Sequence, residues 1–385
     1  MREVMLVAGE TSGDLHAAGV AVELRRRAPD LHLVGIGGER MAAAGVELLE
    51  RSERLAVMGF IEVVKHIPQH YALLRRLRER LQSGSVALLI LVDYPGFNMK
   101  LAAEAHRAGV PVLYYITPQV WAWGAGRLEK MARTVTRAAV ILPFEESLLA
   151  SHGVRATFVG HPLLDRASEL PSRDEARRSL GIPVGGPVLA LFPGSRSQEI
   201  GRHLEPFVGA ARELERRIRN LHVVVSVAPG LSIDPARCPY PTISGASFAV
   251  LRAATAALCK SGTSTLEAAV ADCPLVVAYR TSGWTYAIAR RVVTIPRIGL
   301  VNVVAEKQVA PEFVQDAATP PAMAAALEPL LDETSEARRV MREGLAEVRS
   351  RLGSPGAAAR TAEIALSLAN AASEPRATPA AVSTR

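Results

Sequence analysis

The sequence predicts an α/β protein made of two Rossmann-like domains that face a cleft, followed by C-terminal helices. Continuous apolar runs alternate with helical stretches, as expected of parallel strands whose two faces are both covered by helices. This pattern restarts after a polar stretch that begins at residue 166, and 385 residues exceed what one hydrophobic core usually serves. We therefore expect two open sheets, with ligands bound beyond the carboxyl ends of their strands.

The first predicted domain, residues 1–165, contains five apolar runs that are typical of buried strands. They lie at 3–8, 31–38, 86–92, 110–116 and 138–144. The second predicted domain, residues 166–353, contains four such runs and then two helical stretches. The runs lie at 187–192, 221–228, 256–262 and 274–280, and the helices at 320–333 and 335–353. A terminal helix is predicted within 354–372 and a disordered tail at 373–385.

Composition narrows the class of protein. Apolar residues make up 49% and charged residues 22% of the chain, which is typical of a globular enzyme. The longest apolar run is too short to span a bilayer and the first ten residues do not resemble a signal peptide, so we expect a cytoplasmic protein. Three cysteines without paired spacing and scattered histidines predict reduced thiols and no metal site. The net charge of +7 favours an anionic partner.

The segment "AGETSGD" at 8–14 follows the first predicted strand and carries two carboxylates. A glycine turn that leads into a helix can bind phosphate, but Glu10 and Asp14 would repel one. The alternative is a helix that begins near Asp14 and is capped by Thr11 or Ser12.

Two turns in the second domain are better candidates for a phosphate site. "LFPGSRSQEI" at 191–200 places Gly194, Ser195 and Arg196 between a strand and a helix. "CKSGTSTLEAA" at 259–269 repeats that arrangement, with a carboxylate in the helix that could accept hydrogen bonds from ribose hydroxyls. Two such turns predict a nucleotide diphosphate. The chain has no D-x-D motif, so Arg196 and helix dipoles are expected to neutralise the leaving group.

The first domain is then expected to hold a hydroxyl-rich acceptor and a general base. Asp93, in "LVDYPGFN" at 91–98, follows the most apolar strand, and it could be a base or only a turn former. The sequence predicts a turn at Pro95 and Gly96, with Asn98 as the cap of the next helix. Two tryptophans within 114–127 could serve packing or line a sugar or acyl site.

The segment 57–81 combines apolar residues with five cations, and its second part has the spacing of an amphipathic helix. Its basic side could be a solvated face, or it could contact an anionic lipid surface. Nucleic acid is disfavoured, because the chain shows no basic stripe interleaved with aromatic residues and no known binding module.

Several long motifs then resemble those of lipid-A-disaccharide synthases, in the same order, over roughly residues 3–350. They are "VAGETSGD", "LAVMGFIEVV", "DYPGFN", "TPQVWAWGAGR", "VGHPLLD", "LFPGSRSQEI", "CKSGTSTLEA" and "GLVNVVAEKQVAPEFVQ". The resemblance implies a GT-B glycosyltransferase that inverts configuration and uses neither metal nor cofactor. It would join UDP-2,3-diacylglucosamine to the 6-hydroxyl of 2,3-diacylglucosamine 1-phosphate, on the cytoplasmic face of the inner membrane, and release UDP.

The resemblance also implies roles for residues of these motifs. Asp93 is the expected catalytic base and Glu10 its rival, with Ser12, Asp14 and Met58 expected at the acceptor. The residues expected at the UDP-sugar are Gly194, Ser195, Arg196, Ser261, Gly262, Thr263, Thr265, Glu267, Asn302, Glu312 and Gln315. Many members of the family read D-x-P-D-F-N where this chain has "DYPGFN", so any duty of that second acid cannot pass to Gly96.

Two other classes of function fit the same residues. A UDP-sugar epimerase or another UDP-N-acetylglucosamine transferase would share the donor turns without requiring acyl chains. A non-catalytic lipid- or nucleotide-binding protein would need neither both phosphate turns nor the paired acids. The sequence leaves the oligomeric state open, a homo-oligomer included.

Overall fold

A computed structural model describes residues 3–52, 60–121, 126–167, 170–282 and 297–371. The chain divides into two compact units. The first joins Met1–Pro162 to Gly356–Arg385, and the second is Leu163–Pro355. The break thus falls three residues before the predicted boundary at 165, and the terminal helix, predicted as a separate segment, belongs to the first unit.

The first unit is built on a seven-stranded parallel sheet. Its strands are β1 (Glu3–Ala8), β2 (His32–Gly37), β3 (Glu47–Arg51), β4 (Val86–Val92), β5 (Val112–Tyr115), β6 (Arg137–Val140) and β7 (Ala156–Phe158). They lie in the order β3-β2-β1-β4-β5-β6-β7. The helices are α1 (Thr11–Arg27), α2 (Glu39–Ala43), α3 (Phe60–Gln82), α4 (Pro95–Arg107), α5 (Gly126–Thr134) and α6 (Glu145–Ala150), with the last helix of the chain, Ala357–Ala371. Apolar cores fill both faces of the sheet, as its continuous apolar strands predict.

The second unit repeats this plan with a six-stranded parallel sheet. Its strands are β8 (Val188–Phe192), β9 (His222–Val227), β10 (Thr242–Ser244), β11 (Ala256–Lys260), β12 (Leu275–Tyr279) and β13 (Glu312–Val314), in the order β10-β9-β8-β11-β12-β13. Its helices are α7 (Arg173–Ser179), α8 (Ser197–Glu215), α9 (Ser247–Ala253), α10 (Ser264–Val270), α11 (Leu300–Ala305), α12 (Pro320–Leu331) and α13 (Glu336–Arg351), which makes Ala357–Ala371 helix α14. No helix within the described residues is both long and apolar enough to cross a bilayer.

The nine predicted apolar runs all contain strands, so the predicted α/β class and the doubling of the fold are confirmed. Four strands were not predicted: β3, β7, β10 and β13 lie at sheet edges, and none of them forms a long apolar run. An edge strand has only one neighbour and needs less apolar surface, so its sequence carries a weaker signal.

The strand order reverses direction once in each sheet, and this fixes where ligands can bind. In the first sheet the reversal lies between β1 and β4, where Ala8 pairs with Val92 at the carboxyl ends. In the second it lies between β8 and β11, where Phe192 pairs with Cys259. Loops that leave the sheet at such a point diverge to opposite faces and leave a crevice.

Helix α14 completes the core of the first unit. Ala362, Ala365 and Ala369 are buried in the cluster beneath α1, where small side chains allow two helices to approach closely. Arg27 pairs with Glu363 at 2.9 Å, and Arg360 Nε donates to the Val159 carbonyl at 2.9 Å. The first unit therefore depends on residues from both ends of the chain.

Gly35→Ala should strongly destabilise the first unit. A Cβ at Gly35 would lie 1.8 Å from the carbonyl oxygen of Leu6 on β1, so the strand pair would have to separate. We expect the free energy of unfolding to fall by about 3 kcal/mol in urea titrations followed by circular dichroism.

The control is Gly201→Ala, at an exposed position of α8 where an added Cβ has no neighbour within 4 Å. Alanine is the better helix former, so this variant should gain up to about 1 kcal/mol. Equal effects of the two substitutions would contradict the close approach of β1 and β2.

Candidate active site

The crevice of the first unit begins with Glu10, which is separated from β1 by Gly9 alone. Helix α1 starts at Thr11, three residues earlier than predicted, and Glu10 occupies its N-cap position. The predicted cap by Thr11 or Ser12 is therefore wrong, since both lie inside the first turn, where their side chains are exposed.

Asp14 serves the backbone of α2. Its Oδ1 accepts hydrogen bonds from the backbone N–H groups of Gly38 at 2.6 Å and Met41 at 3.1 Å. Its Oδ2 accepts from the N–H of Arg40 at 3.1 Å, and the side chain is buried. Three donors at the start of a short helix are thereby satisfied by a carboxylate from the neighbouring helix.

Asp93 follows β4 on the other side of the same crevice, in an unusual backbone conformation. Asp93 and Tyr94 both have φ of +48°, a region that few residues other than glycine adopt. The Asp93 carbonyl accepts hydrogen bonds from Asn98 Nδ2 at 2.7 Å and from the Tyr114 hydroxyl at 2.8 Å. Asn98 does not cap the next helix as predicted, because α4 already begins at Pro95. Its amide instead holds the strained turn.

Tyr94 connects the two sides of this crevice. Its ring lies against Gly9, where an added Cβ would come within 2.3 Å of ring atoms, so the glycine permits the contact. Burial and the negative charge of Glu10 raise the pKa of the Tyr94 hydroxyl. Glu10, Tyr94 and Asp93 therefore form one group at the reversal point of the sheet.

An apolar pocket of about 230 Å³ adjoins Tyr94. The lining residues come from α3 and from α4 with its preceding turn: His70, Tyr71, Leu74, Tyr94, Gly96, Phe97 and Lys100. His70 Nε2 lies 3.3 Å from the Tyr94 hydroxyl, and Lys100 lies over the Tyr71 ring at 5.3 Å.

The loop after β5 carries Trp121, which is bound to a buried carboxylate. Trp121 Nε1 donates to Glu145 Oε1 at 3.1 Å, and the N–H of Leu142 donates to Oε2 at 3.1 Å. Burial raises the pKa of Glu145 to about 7, although these hydrogen bonds act in the opposite direction. The second tryptophan of the motif, Trp123, lies outside the described residues, as does Met58.

In the second unit, the turn after β8 leads into the N-terminus of α8. Gly194 has φ of +135°, and Arg196 is the exposed N-cap residue of α8. Glu199, in the first turn of α8, accepts from the N–H of Ser195 at 2.9 Å and from Lys260 Nζ at 2.9 Å. Lys260, at the end of β11, keeps the pKa of Glu199 low despite its burial. Sequence reasoning missed this ion pair, which lies between the two predicted phosphate turns.

The turn after β11 is held by its own hydroxyls. Gly262 has φ of +153°, and Thr265 Oγ1 donates to its carbonyl at 2.8 Å. Ser261 Oγ donates to the Ile298 carbonyl at 2.6 Å, while Thr263 is exposed. Burial raises the pKa of Glu267, two residues beyond Thr265.

Asn302, Glu312 and Gln315 fix the loops beside this turn. The buried Asn302 amide donates to Ala310 O and Glu312 Oε1, and its oxygen accepts two backbone N–H groups, which fills its capacity. The Glu312 carboxylate accepts the N–H groups of residues 298 and 299 at the start of α11. Gln315 pairs through its side-chain amide with the backbone of Thr281.

Each unit thus carries some of its candidate residues at the reversal point of its own sheet. Glu10 and Asp93 lie at the first, and the turns at Gly194–Arg196 and Ser261–Thr265 lie at the second. Among the residues that the structure describes, no group of three or more His, Cys, Asp or Glu side chains is arranged to hold a metal ion.

Solved structures share this architecture. A protein from Listeria monocytogenes assigned as a UDP-N-acetylglucosamine 2-epimerase is 11% identical, with a TM-score of 0.64 over 97% of this chain and 96% of that one. The calicheamicin glycosyltransferase CalG4 is 17% identical, with a TM-score of 0.62 over 97% and 100%. At these identities the likeness shows the fold alone, which is the GT-B fold of glycosyltransferases and related enzymes.

Sequence comparison gives the family. The profile described as Lipid-A-disaccharide synthetase matches residues 4–362. The lipid-A-disaccharide synthases of Syntrophus aciditrophicus and Geobacter sulfurreducens are 42% and 41% identical, each over 95% of this chain and 97% of the relative. The chain belongs to the lipid-A-disaccharide synthase family.

The buried carboxylate of Glu145 should make folding stability depend on pH. Its pKa is about 7 in the fold and near 4.5 in the unfolded chain, so the unfolded state loses this proton first as the pH rises. Wild-type stability should therefore fall by about 2 to 3 kcal/mol between pH 4.5 and 7, relative to Glu145→Gln. Urea titrations of both proteins at several pH values measure this difference.

The difference in stability between the wild type and Glu145→Gln should be constant below pH 4 and again above pH 8. In these ranges Glu145 has the same protonation state in the folded and the unfolded protein. A difference that rises with pH through this window would show that the fold prefers the ionised carboxylate and would contradict the prediction.

Proposed function

We propose that this protein is an inverting glycosyltransferase of lipid A biosynthesis. It would join UDP-2,3-diacylglucosamine to 2,3-diacylglucosamine 1-phosphate, forming a β-1,6 disaccharide 1-phosphate and UDP. The observation that carries the proposal is the division of chemistry between the two reversal points. One carries carboxylates beside an apolar pocket, and the other carries two glycine turns at helix N-termini with an arginine. Membership of the family supplies the substrates.

The second unit would bind the donor. The exposed residues Ser195, Arg196 and Thr263 would contact the diphosphate, and the N-termini of α8 and α10 would supply partial positive charge. Gly194 and Gly262 give these turns their backbone form. Glu267 would accept from the ribose hydroxyls. Asn302, Glu312 and Gln315 would act by holding the adjacent loops.

The first unit would bind the acceptor and supply the base. Asp93 would take the proton of the acceptor 6-hydroxyl while that oxygen attacks C1 of the donor sugar. The bond from C1 to the phosphate oxygen breaks, the configuration at C1 inverts, and UDP leaves with the bonding electrons. We favour Asp93 over Glu10 because two side chains hold its backbone in a strained conformation, and such strain is concentrated at active sites. Ser12 would contact the acceptor, with Asp14 holding α2 beside it.

Asp93→Asn should lower kcat about a hundredfold or more without weakening UDP binding, because an amide cannot take the proton. The measurement is UDP release from UDP-2,3-diacylglucosamine and the diacylated 1-phosphate acceptor, with UDP affinity measured by calorimetry. Glu10→Gln should retain most of the activity.

The matched control is Asp30→Asn, an exposed carboxylate of the same unit. Loss of activity in Glu10→Gln alone would move the base to Glu10. No UDP release by the wild type with these substrates, or efficient turnover of unacylated UDP-N-acetylglucosamine, would refute the proposed function.

We further propose that the protein acts at the cytoplasmic face of the inner membrane and that residues 57–81 contact anionic lipid. In the described part of this segment, Leu73, Leu77 and Leu81 are buried in the core, while Tyr71 is 60% exposed. Arg80 is engaged with Glu3. Arg75 and Arg78 are exposed, and Arg75 pairs with the exposed Glu79 at 3.3 Å. The exposed side of α3 therefore offers an aromatic residue and cations to a surface.

Replacing both Arg75 and Arg78 by Gln should weaken binding to vesicles that contain anionic lipid. Each cation near such a surface contributes about 1 kcal/mol, so the partition coefficient should fall roughly 30-fold at low salt. The measurement is co-sedimentation with vesicles. Replacing Arg216 and Arg217, exposed arginines of the second unit, is the control, and an equal loss there would refute a specific contact by α3.

A further inference from the structure

The segment that follows β5 lies beside the proposed base. Strands β4 and β5 pair so that Val92 stands opposite Tyr115, and the N–H of Asp93 donates to the Tyr115 carbonyl at 3.3 Å. The next residue, Ile116, has φ of +57°, which turns the chain sharply as it leaves the sheet. Residues 116–121 therefore start at the same edge as Asp93.

Trp121 is anchored at the far end of this segment. Its indole N–H is held by Glu145, the first residue of α6, and its ring meets Phe144 edge to face with centroids 5.3 Å apart. Glu145 is 3% exposed, and no lysine, arginine or histidine among the described residues forms an ion pair with it. Burying a carboxylate without a cation costs free energy. Three hydrogen-bond donors surround Glu145, and its carboxylate is suited to hold them in place.

Thr117 supplies an independent observation in the same segment. Its side chain is 5% exposed, and its hydroxyl has no hydrogen-bond partner within the described part of the chain. Buried hydroxyls are normally bonded, and an exception beside an active site is suited to a ligand or a bound water. Thr117 follows Tyr115 by two residues in the chain. The Tyr115 carbonyl accepts a hydrogen bond from the backbone N–H of Asp93.

We propose that Thr117–Trp121 forms a wall of the acceptor-sugar subsite, and that Glu145 is the positioning residue that holds this wall through Trp121. The inference rests on the proposed function. A hydroxyl and the edge of a half-buried aromatic ring are the groups that bind a sugar, because they match its hydroxyls and its C–H faces.

Thr117→Val is the sharpest test, because it replaces the hydroxyl with a methyl group of the same shape. A hydroxyl that serves only the fold would lower stability when removed, whereas one without a partner should leave stability unchanged or raise it. We expect the KM for the 2,3-diacylglucosamine 1-phosphate acceptor to rise about tenfold, the factor for one lost hydrogen bond. The KM for the donor and the affinity for UDP should not change.

Trp121→Phe and Glu145→Gln test the positioning role. Each should raise the acceptor KM about three- to tenfold with donor KM unchanged, since each weakens the same hydrogen bond. The double variant should be no worse than the more severe single variant, because the two substitutions act on one contact. Glu3→Gln is the control, since it breaks an ion pair with Arg80 at the amino-terminal end of β1, whereas Asp93 follows the carboxyl end of β4.

Acceptor KM values within twofold of the Glu3→Gln control in both Thr117→Val and Trp121→Phe would overturn the inference. Effects that fall equally on the donor would overturn it as well. Calorimetric titration with the acceptor alone separates this failure from that of the proposed function. If the wild type binds the acceptor without turnover and Thr117→Val binds it more weakly, the proposed wall of the acceptor subsite is supported. The proposed transfer reaction is then refuted. A wild type that neither binds nor reacts refutes both.

Discussion

The parallel pairing of β1 with β4, and of β8 with β11, is the constraint on which the rest of this molecule depends. Parallel neighbours cannot be joined by a tight turn, so every connection crosses a face of the sheet as a helix or loop. Crossovers are right-handed, so the direction in which the strand order grows decides which face each helix covers. Where the strand order reverses, the loops that follow the two neighbouring strands diverge. An open crevice therefore forms at the carboxyl ends of these strands while the pairing of the sheet stays intact.

The polar residues near these crevices fall into two groups with different physical tasks. Asp14 and Glu312 accept backbone N–H groups at helix starts, which leave donors that must be satisfied inside a protein. Asn302 accepts the N–H groups of Val309 and Ala310 in the loop before β13. Ser195 and Arg196 lie at the surface of a turn with exposed side chains. The first group fixes the shape of the loops, whereas the side chains of the second group are accessible to solvent.

The sequence predicts the strands of both sheets well, but it predicts the hydrogen bonds between residues of the candidate site poorly. Continuous apolar runs located nine strands, and the position of Glu10, Asp93 and both glycine turns at strand ends followed from them. The hydrogen bond from the Tyr114 hydroxyl to the Asp93 carbonyl could not be predicted in this way. The two residues are 21 apart in the chain and meet only through the register of β4 and β5. The bond between Trp121 and Glu145 likewise joins residues 24 apart. The prediction that Asn98 caps the next helix is wrong because α4 begins at Pro95, so Asn98 lies inside the helix and not before it.

The return of α14 to the first unit has a consequence for synthesis on the ribosome. Chains emerge from the amino terminus, and domains ordinarily fold in that order. Here the alanines that close the core beneath α1 lie in the last helix, so the first unit to emerge is the last that can be completed. The second unit can fold while the first still exposes the apolar surface that α14 covers.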